Sequence, residues 1–317
     1  MEVVRYVFLF SIFVLSVQAK TVKDIKELSP QSSAITYQLN GGRFGDNLLS
    51  YSRVKWLSYV NDIPVLYFPF PYADQLALHV KDAMYEDGAE QEFAYMKNVD
   101  LKSKTVLKKN NNTLYVCHWE SGIKIDWNDK VFVEGLKECI SPLNEYQKVT
   151  IPEGYISVAV HVRTGGGYAG DHAIEKARAP LRFVPEEFFI EQLGRVVEAF
   201  PDQKLYVHVF TDHPQPKELA KKFARALNNK LVTFGYRDEG NSYKANVLDD
   251  FFAMMEFTCL IRPGSNFSRF VERLGNAQFV IYPESARKVS DTLSIIDKIR
   301  IKTKTEKGWK TRIEVIA

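Results

Sequence analysis

The sequence predicts an α/β fold of two lobes with parallel sheets, and three observations support this prediction. The second half of the chain alternates apolar strand-like runs with helical segments through short loops, which indicates a parallel sheet covered by helices. The first half opens with a strand, a glycine-rich turn, a helix and a second strand, the pattern of a βαβ unit. The length of 317 residues exceeds what one simple core usually organises, so two lobes are expected.

Composition and charge exclude several classes of protein. The chain is 45% hydrophobic and 26% charged, so it is neither disordered nor fibrous. Its formal net charge of +3 excludes a generally polybasic nucleic-acid binder. The charge is unevenly distributed. The segment from Lys298 to Ala317 has seven Lys and Arg against two Glu, so it carries +5 and leaves −2 for everything before it.

Residues 1–19 have the pattern of a secretory signal peptide. Arg5 supplies the positive start, an apolar run follows from Tyr6 to Val17, and small residues precede a cleavage point after Ala19. This run is well short of the ~20 residues that span a bilayer, and we expect no transmembrane span in the chain. We therefore expect an exported protein, periplasmic or secreted in a bacterium and lumenal in the ER or Golgi of a eukaryote.

The first lobe is predicted to cover residues 20–150. The β-branched and aromatic residues of the run Ile35 to Leu39 predict a strand that ends in a glycine turn. Apolar residues at helical spacing predict a helix from Asn47 to Val60, and Ile63 to Tyr67 predicts the next strand. Residues 72–148 have a mixed pattern with no clear periodicity.

The second lobe is predicted to cover residues 151–290, and a basic tail the residues 291–317. The lobe begins with a buried strand from Tyr155 to Val162. The elements predicted after it are a helix at Pro185–Ala199, a strand at Leu205–Phe210, a helix at Lys217–Leu227, a strand at Leu231–Phe234, a helical face over Val247–Cys259, a strand at Leu260–Pro263, a helix at Ser265–Leu274 and a strand at Phe279–Tyr282. The tail alternates Ile with Lys and Arg, which predicts a β-hairpin with one charged face. The alternative for the tail is a patch that contacts an anionic lipid or polysaccharide.

The cysteines do not identify the compartment. Cys117, Cys139 and Cys259 are odd in number and lack the CxxC spacing of a metal or redox site. One disulfide with a free thiol and three buried thiols are both compatible with this sequence.

The first candidate site is the turn from Gly41 to Asn47, between a strand and a helix. Ligands of doubly wound sheets bind at the carboxyl ends of strands, where glycine allows close approach and a helix start offers N–H groups to an anion. The turn is neither GxGxxG nor GxxxxGK[ST], which disfavours a nicotinamide cofactor and excludes an ATP-hydrolysing P-loop. A tight turn in which Asp46 or Asn47 caps the helix is the alternative.

The second candidate site ends the strand that begins at Tyr155. His161 and Arg163 point the same way in an extended segment, and an arginine at the end of a buried strand needs an anionic partner. Residues 165–167 are three glycines, which suit a nest of amides for that anion, and Asp171 follows. The alternative is a structural arginine paired with a buried carboxylate.

Two further polar segments follow strands. Asp250 precedes the segment Arg262 to Ser268, in which glycine, Ser265 and Asn266 start a helix and form a second anion-binding N-terminus. Asp212 follows the strand that ends at Phe210. An ordinary helix cap and ordinary turn chemistry are the respective alternatives.

Taken together and in this order, these segments resemble the fucosyltransferase superfamily, whose members have the GT-B fold of two Rossmann-like lobes. The group includes the protein O-fucosyltransferases and the α-1,6- and α-1,2-fucosyltransferases. The resemblance covers most of residues 35–285 as a pattern of motifs without close identity. It implies an enzyme that transfers fucose from GDP-fucose.

The first-lobe turn and the strand end match two motifs of this family. Gly42-Arg43-Phe44-Gly45 resembles the glycine motif at the nucleotide sugar, with Asn47 one place later than usual because Asp46 precedes it. His161 and Arg163 match the hallmark H-x-R, in which the arginine binds the β-phosphate of GDP-fucose. Thr164 and glycines stand where a second arginine is common.

The remaining correspondences place further residues at the donor. Asp171 lies where many members have a carboxylate, a proposed base in some of them. Asp212 resembles the aspartate of the TD motif, and Asp250 the aspartate that contacts guanine, with His161 nearby. The phosphate-contacting helix start of the family corresponds to Ser265, Asn266 and Ser268.

The mechanism that this resemblance implies is an inverting, metal-independent transfer. Negative charge that develops on the departing diphosphate would be stabilised by Arg163 and by the amides of residues 264–267. Asp171 would take the proton of the acceptor hydroxyl. The partners implied are a nucleotide sugar and a glycan or protein acceptor, with no nucleic acid and no metal cofactor.

Two other classes remain open at this point. A non-catalytic, exported protein that binds carbohydrate or polyanions on a GT-B-like scaffold is the main alternative, and Arg163 and Asp171 distinguish it from the transferase. A small-molecule hydrolase is disfavoured, because the chain lacks GxSxG and any Cys/His pairing.

Overall fold

The computed structural model describes residues 31–99, 106–118, 122–164, 178–238, 241–242, 244–245, 247–290 and 293–316. The predicted signal peptide at residues 1–19 and the predicted base Asp171 lie outside these ranges. None of the helices in the described part of the chain is both long and apolar enough to cross a membrane.

The first lobe is built on two small parallel sheets. Its elements are β1 (Ala34–Tyr37), α1 (Phe44–Asn61), β2 (Leu66–Tyr67), α2 (Leu78–Lys81), β3 (Ala83–Met84), β4 (Tyr95–Val99), β5 (Thr113–Cys117) and α3 (Lys130–Ile140), with single 3-10 turns at Ala73–Gln75 and Ala89–Glu92. One sheet has the order β1-β5-β4 and the other pairs β2 with β3, all in parallel. Both β1 and β5 are buried along their whole length, as is typical of parallel strands that are covered on both faces, and their residues are mostly apolar.

The second lobe is built on one large sheet. Its elements are β6 (Ile156–Val162), α4 (Glu186–Ala199), β7 (Leu205–Thr211), α5 (Pro216–Leu227), β8 (Val232–Tyr236), α6 (Val247–Met255), β9 (Cys259–Ile261), α7 (Asn266–Leu274), β10 (Phe279–Lys288), β11 (Ser294–Thr305) and β12 (Gly308–Val315). The strand order is β12-β11-β10-β9-β6-β7-β8. The strands from β10 to β8 pair in parallel, so the carboxyl ends of β6, β7 and β9 meet at one edge.

The basic tail forms the antiparallel hairpin β11–β12 and extends the large sheet beyond β10. Several of its cations have carboxylate partners: Arg300 pairs with Glu284, and Lys302 with Glu272. Part of the positive charge of the tail is therefore compensated by the body of the lobe.

A single apolar core joins the two lobes. Leu48, Val54 and Leu57 on the inner face of α1 belong to the same buried cluster as Phe251 and Phe270 from the second lobe. A separate cluster fills the other side of the large sheet under α4 and α5. All three cysteines are buried free thiols, which decides between the alternatives that the sequence left open.

Candidate functional site

A cleft of about 270 Å³ lies between the lobes, at the carboxyl ends of β6 and β7. The first lobe contributes the glycine turn before α1 to its lining, and the second contributes strand ends and helix starts. The sequence-predicted residues that line it are Gly42, Arg43, His161, Arg163, Asp212, Asp250, Ser265 and Asn266. Residues that are far apart in the chain thus meet at one place, as the strand-end argument predicts.

Two predicted residues lie behind the cleft wall. Asn47 is 2% exposed in the first turn of α1, and Ser268 is fully buried near the start of α7. Both face the core, so in this structure neither reaches the cleft. Their contact with a ligand stays a prediction, as does the role of Asp171.

The glycine turn lies directly against the start of α7. A Cβ atom on Gly45 would lie 2.4 Å from the backbone nitrogen of Phe267, a distance that only glycine avoids. Beside it, the Oδ1 atom of Asp46 accepts a hydrogen bond from the side-chain amide of Asn266 at 2.7 Å. The two lobes are therefore joined by a direct polar contact at the edge of the cleft.

His161 near the end of β6 and Arg163 directly after it both line the cleft, as the alternation of an extended segment predicts. Burial lowers the pKa of His161 to about 3, and the nearby charge of Arg163 is the second cause of this shift. The imidazole is therefore neutral at physiological pH. Its Nδ1 atom is buried, and no described residue hydrogen-bonds to it. This atom is a polar group for which a ligand in the cleft could supply the partner.

The Arg163 guanidinium lies over the start of α7. Its Nη1 atom donates to the hydroxyl of Ser265 at 3.3 Å, and its Cζ atom lies 5.7 Å from the centre of the Phe183 ring. Ser265 is the N-cap of α7, and its side chain does not cap the helix. The first N–H groups of α7 and the arginine together form a positive site suited to an anion.

Thr164 and Asp212 hold the ends of β6 and β7 together. The Oδ1 atom of Asp212 accepts from the backbone nitrogen of Thr164 at 2.6 Å and from its hydroxyl at 2.8 Å. Thr164 occupies the position where the family resemblance expects a second arginine. In this chain Thr164 therefore positions Asp212 beside the cleft and adds no charge of its own.

Asp250 lines the same cleft from the first turn of α6. Arg237, which follows β8, donates to its Oδ1 atom from Nε at 3.3 Å and from Nη2 at 3.0 Å. Burial raises the pKa of Asp250 to about 6, and the charge of Arg237 opposes that rise. The carboxylate is thus ionised at neutral pH and adjoins an apolar wall of Ala245, Val247 and Met254.

Sequence reasoning missed three cationic residues at or near the cleft. Arg182 and Lys244 line it, and Arg237 supports Asp250 from behind. All three lie in connections between regular elements, where no periodic pattern or motif marks them. Only the folded arrangement brings them to the site.

The buried network behind α7 holds that helix in place. Glu272 accepts from the Nε atom of Arg262 at 2.8 Å and also from Lys302 of β11. The Arg262 guanidinium stacks 3.9 Å from the centre of the Tyr282 ring. Arg262 therefore faces the interior, and the network joins α7 to the basic hairpin.

The arrangement can bind a ligand with an anionic part and a flat apolar part. Among the residues that the structure describes, four cationic side chains and three carboxylates line the cleft, and each of these carboxylates accepts a hydrogen bond from the protein. In the described ranges, no group of three His, Cys, Asp or Glu residues could hold a metal ion. The positive site is formed by Arg163 and the start of α7, and the apolar wall by residues of α6 and the loop before it.

Comparison with known proteins shows the class of fold. Among solved structures, Arabidopsis thaliana FUT1, determined as a mutant in complex with GDP, is similar with a TM-score of 0.53 and 12% identity over 86% of this chain and 75% of that one. This likeness confirms the predicted α/β fold of two Rossmann-like lobes, the GT-B fold. At 12% identity, this likeness shows the fold alone.

Two other solved structures are more distant. NodZ α-1,6-fucosyltransferase from Bradyrhizobium, co-crystallised with GDP, has a TM-score of 0.45 and 13% identity over 80% of this chain and 95% of that one. Heptosyltransferase WaaC from E. coli with ADP has a TM-score of 0.36 and 10% identity over 76% and 84% of the two chains. No protein-family profile and no curated protein matches the sequence.

Proposed function

We propose that this chain is a glycosyltransferase that moves fucose from GDP-fucose to a hydroxyl group of a glycan or protein, with inversion and without a metal ion. The observation that supports this most is the convergence of Arg163, the start of α7 and Asp250 on one cleft between two lobes. The fold-level likeness to FUT1, which was determined with GDP, agrees with such a donor.

The diphosphate of the donor fits the positive site. Arg163 and the N–H groups of the first turn of α7 would stabilise the negative charge that builds up on the diphosphate as the sugar leaves. Charge of this kind makes a metal ion unnecessary at that step. The amides at residues 264–267 have the same role in the prediction from sequence.

The base of the donor fits the apolar wall beside Asp250. A guanine ring can lie against Ala245, Val247 and Met254, with the N1–H and N2–H groups on its edge directed at the Asp250 carboxylate. Among the common bases, guanine alone presents two adjacent donors on that edge. An ionised aspartate there therefore favours GDP over ADP and UDP.

The transfer itself needs a base for the acceptor hydroxyl. We keep Asp171 in this role, on the family resemblance alone. The acceptor would enter from the side of the first lobe, next to the glycine turn. The products are GDP, the glycosylated acceptor and a proton taken up by the base.

A donor screen tests the proposal. Release of nucleotide is measured with GDP-fucose, GDP-mannose and UDP-sugars, with and without EDTA, and thermal stability is measured with GDP. We expect release from GDP-fucose that EDTA does not change, and saturable stabilisation by GDP. Stabilisation by heparin-like glycans with none by GDP would instead support the non-catalytic carbohydrate or polyanion binder.

We also propose that the protein is exported, on the pattern of residues 1–19 alone. Expression of the full sequence in a secretion-competent host and N-terminal sequencing of the exported chain test this. A mature N-terminus at Lys20 is the expected result. Retention in the cytosol with residues 1–19 intact would contradict export.

A further inference from the structure

Asp250 is held by a cation that no sequence motif marks. The Nε and Nη2 atoms of Arg237 both donate to Oδ1 of Asp250, at 3.3 and 3.0 Å. Both side chains are largely buried, with exposures of 14% and 18%. Because both bonds end on Oδ1, the Oδ2 atom is the one available to a ligand in the cleft.

Arg237 is itself fixed on its other side. Its Nη1 atom donates to the side-chain carbonyl of Gln147, in the segment that joins the two lobes. The backbone nitrogen of Gln147 donates to Asp249 at 2.7 Å, and the side chain of Asn241 donates to the carbonyl of Arg237 at 2.6 Å. These contacts hold the guanidinium in one orientation, and its two hydrogen bonds in turn orient the Asp250 carboxylate.

We propose that Arg237 is a positioning residue that keeps Asp250 ionised and oriented, and that it thereby sets the preference of the site for a guanine base. The inference rests on the proposed function, because it takes Asp250 as the group that recognises the base.

The chemistry follows from what a carboxyl group can accept. When Asp250 is ionised, the two lone pairs of Oδ2 can accept from the N1–H and N2–H groups of guanine, whereas protonation makes Oδ2 a donor and removes this acceptor. Burial raises the pKa of Asp250 to about 6, so a further rise of about one unit would leave much of the carboxyl group protonated at neutral pH. Without the charge of Arg237, the pKa would rise further and the neutral form would be populated at pH 7.

The other charged groups near this carboxylate do not replace Arg237. Asp249 on the same helix raises the pKa further. His208 on β7 is neutral, since burial and the charge of Arg237 lower its pKa to about 4. Lys244 and Asp212 line the same cleft with opposite charges. Arg237 is the cation whose hydrogen bonds to Asp250 fix it in place.

The test compares GDP with IDP, which lacks the 2-amino group of guanine, by calorimetry between pH 5.5 and 8.5. The variants are Arg237→Gln and Arg237→Lys, with Arg225→Gln on the exposed face of α5 as the matched control. Wild-type protein should prefer GDP and lose that preference as the pH falls through about 6. In Arg237→Gln this midpoint should rise by about one pH unit or more, with roughly tenfold weaker GDP binding at pH 7.

Arg237→Lys should keep the midpoint close to that of the wild type, since it restores the charge. An unchanged midpoint and an unchanged GDP-to-IDP ratio in Arg237→Gln would overturn the inference while leaving GDP binding intact. If Arg237→Gln does not fold, Asp250→Asn replaces it, and a GDP-to-IDP ratio that still varies with pH around 6 would overturn the inference. The ratio is used because the shared diphosphate itself titrates at about pH 6. Failure of the wild type to bind GDP at all would instead reject the proposed function and the inference with it.

Discussion

The Asp46 carboxylate accepts a hydrogen bond from the side chain of Asn266 at 2.7 Å, between the first turn of α1 and the first turn of α7. The contact places a negative charge next to the helix start at which we propose the diphosphate to bind. An asparagine at this position could accept the same bond without the charge. Asp46 therefore joins the lobes and, at the same time, opposes an anionic ligand.

The first prediction concerns this charge. Asp46→Asn should bind GDP roughly fivefold more tightly than the wild type, a gain of about 1 kcal/mol, because it removes repulsion and keeps the hydrogen bond. Calorimetric titration with GDP measures the change. Asp46→Ala serves as the control, since it removes both charge and bond and should lower the thermal stability. Weaker binding in Asp46→Asn would show that the carboxylate has a positive role at the site.

The second prediction concerns Arg163. Arg163→Ala should reduce the rate of transfer by about two to three orders of magnitude, since one such contact to developing charge contributes about 3 kcal/mol. Arg163→Lys should recover only part of the rate, because lysine lacks the planar fork that matches phosphate oxygens. The exposed Arg225→Ala is the control. Near-normal turnover in Arg163→Ala would exclude a role at the diphosphate.

The third prediction concerns the close approach of the lobes at Gly45. Gly45→Ala should lower the free energy of unfolding by about 1–3 kcal/mol and weaken GDP binding, because its Cβ would collide with the backbone of Phe267. Gly194→Ala in α4 is the matched control, since no atom lies within 4 Å of its added Cβ. This control should be stabilised by about 0.5–1 kcal/mol. Equal effects of the two substitutions in denaturant titrations would contradict the close contact.

The fourth prediction concerns the buried network at Glu272. Glu272→Ala should lower the free energy of unfolding by about 3–5 kcal/mol, because it leaves Arg262 and Lys302 buried without their carboxylate partner. Burial opposes ionisation of Glu272, but these two cations outweigh it and lower its pKa. The ion pairs of Glu272 therefore stabilise the fold at pH values above the usual pKa of glutamate. This stabilisation is lost as the pH falls through the lower pKa that Glu272 has in the folded protein.

Denaturant titrations at neutral and at acidic pH measure that dependence. The difference between wild type and Glu272→Ala should shrink at the acidic end. The exposed Glu218→Ala on α5 should leave the free energy of unfolding almost unchanged at either pH, because water screens surface pairs. A loss of stability in Glu272→Ala as small as that in Glu218→Ala would contradict the stabilising role of the buried network.

Much of the second lobe could be predicted from sequence because its strands are buried on both faces. β6 and β7 are mostly apolar, and the helices α4 and α5 that follow them each have an apolar stripe, so the sequence pattern marks these elements. The first lobe is less predictable. The expected strand at Ile63–Tyr67 is reduced to Leu66–Tyr67, and Pro64 has no N–H group to donate to a ladder.

The site was predictable only as far as strand ends could be located. Arg163, Asp212 and Asn266 follow buried strands and line the cleft. Asn47 was expected at the ligand because the turn resembles the glycine motif of the family. It is buried in the first turn of α1, which begins at Phe44, and its contact with a ligand stays a prediction. Arg237 also follows a strand, but β8 is a partly exposed edge strand, and its end was predicted at Phe234, so the same reasoning did not reach Arg237.

The shared core has a consequence for how ligands are exchanged. The Phe44 ring of the first lobe lies 5.3 Å from Phe251 and 6.2 Å from Phe267 of the second, edge to face in both cases. Returning one such ring to water costs roughly 1.5–3 kcal/mol. Rigid-body rotation of one lobe away from the other would expose this whole aromatic layer, so such an open state is thermodynamically disfavoured. Entry of the donor and departure of the nucleotide would then depend on local rearrangement at the rim of the cleft, with the relative orientation of the lobes held constant through the catalytic cycle.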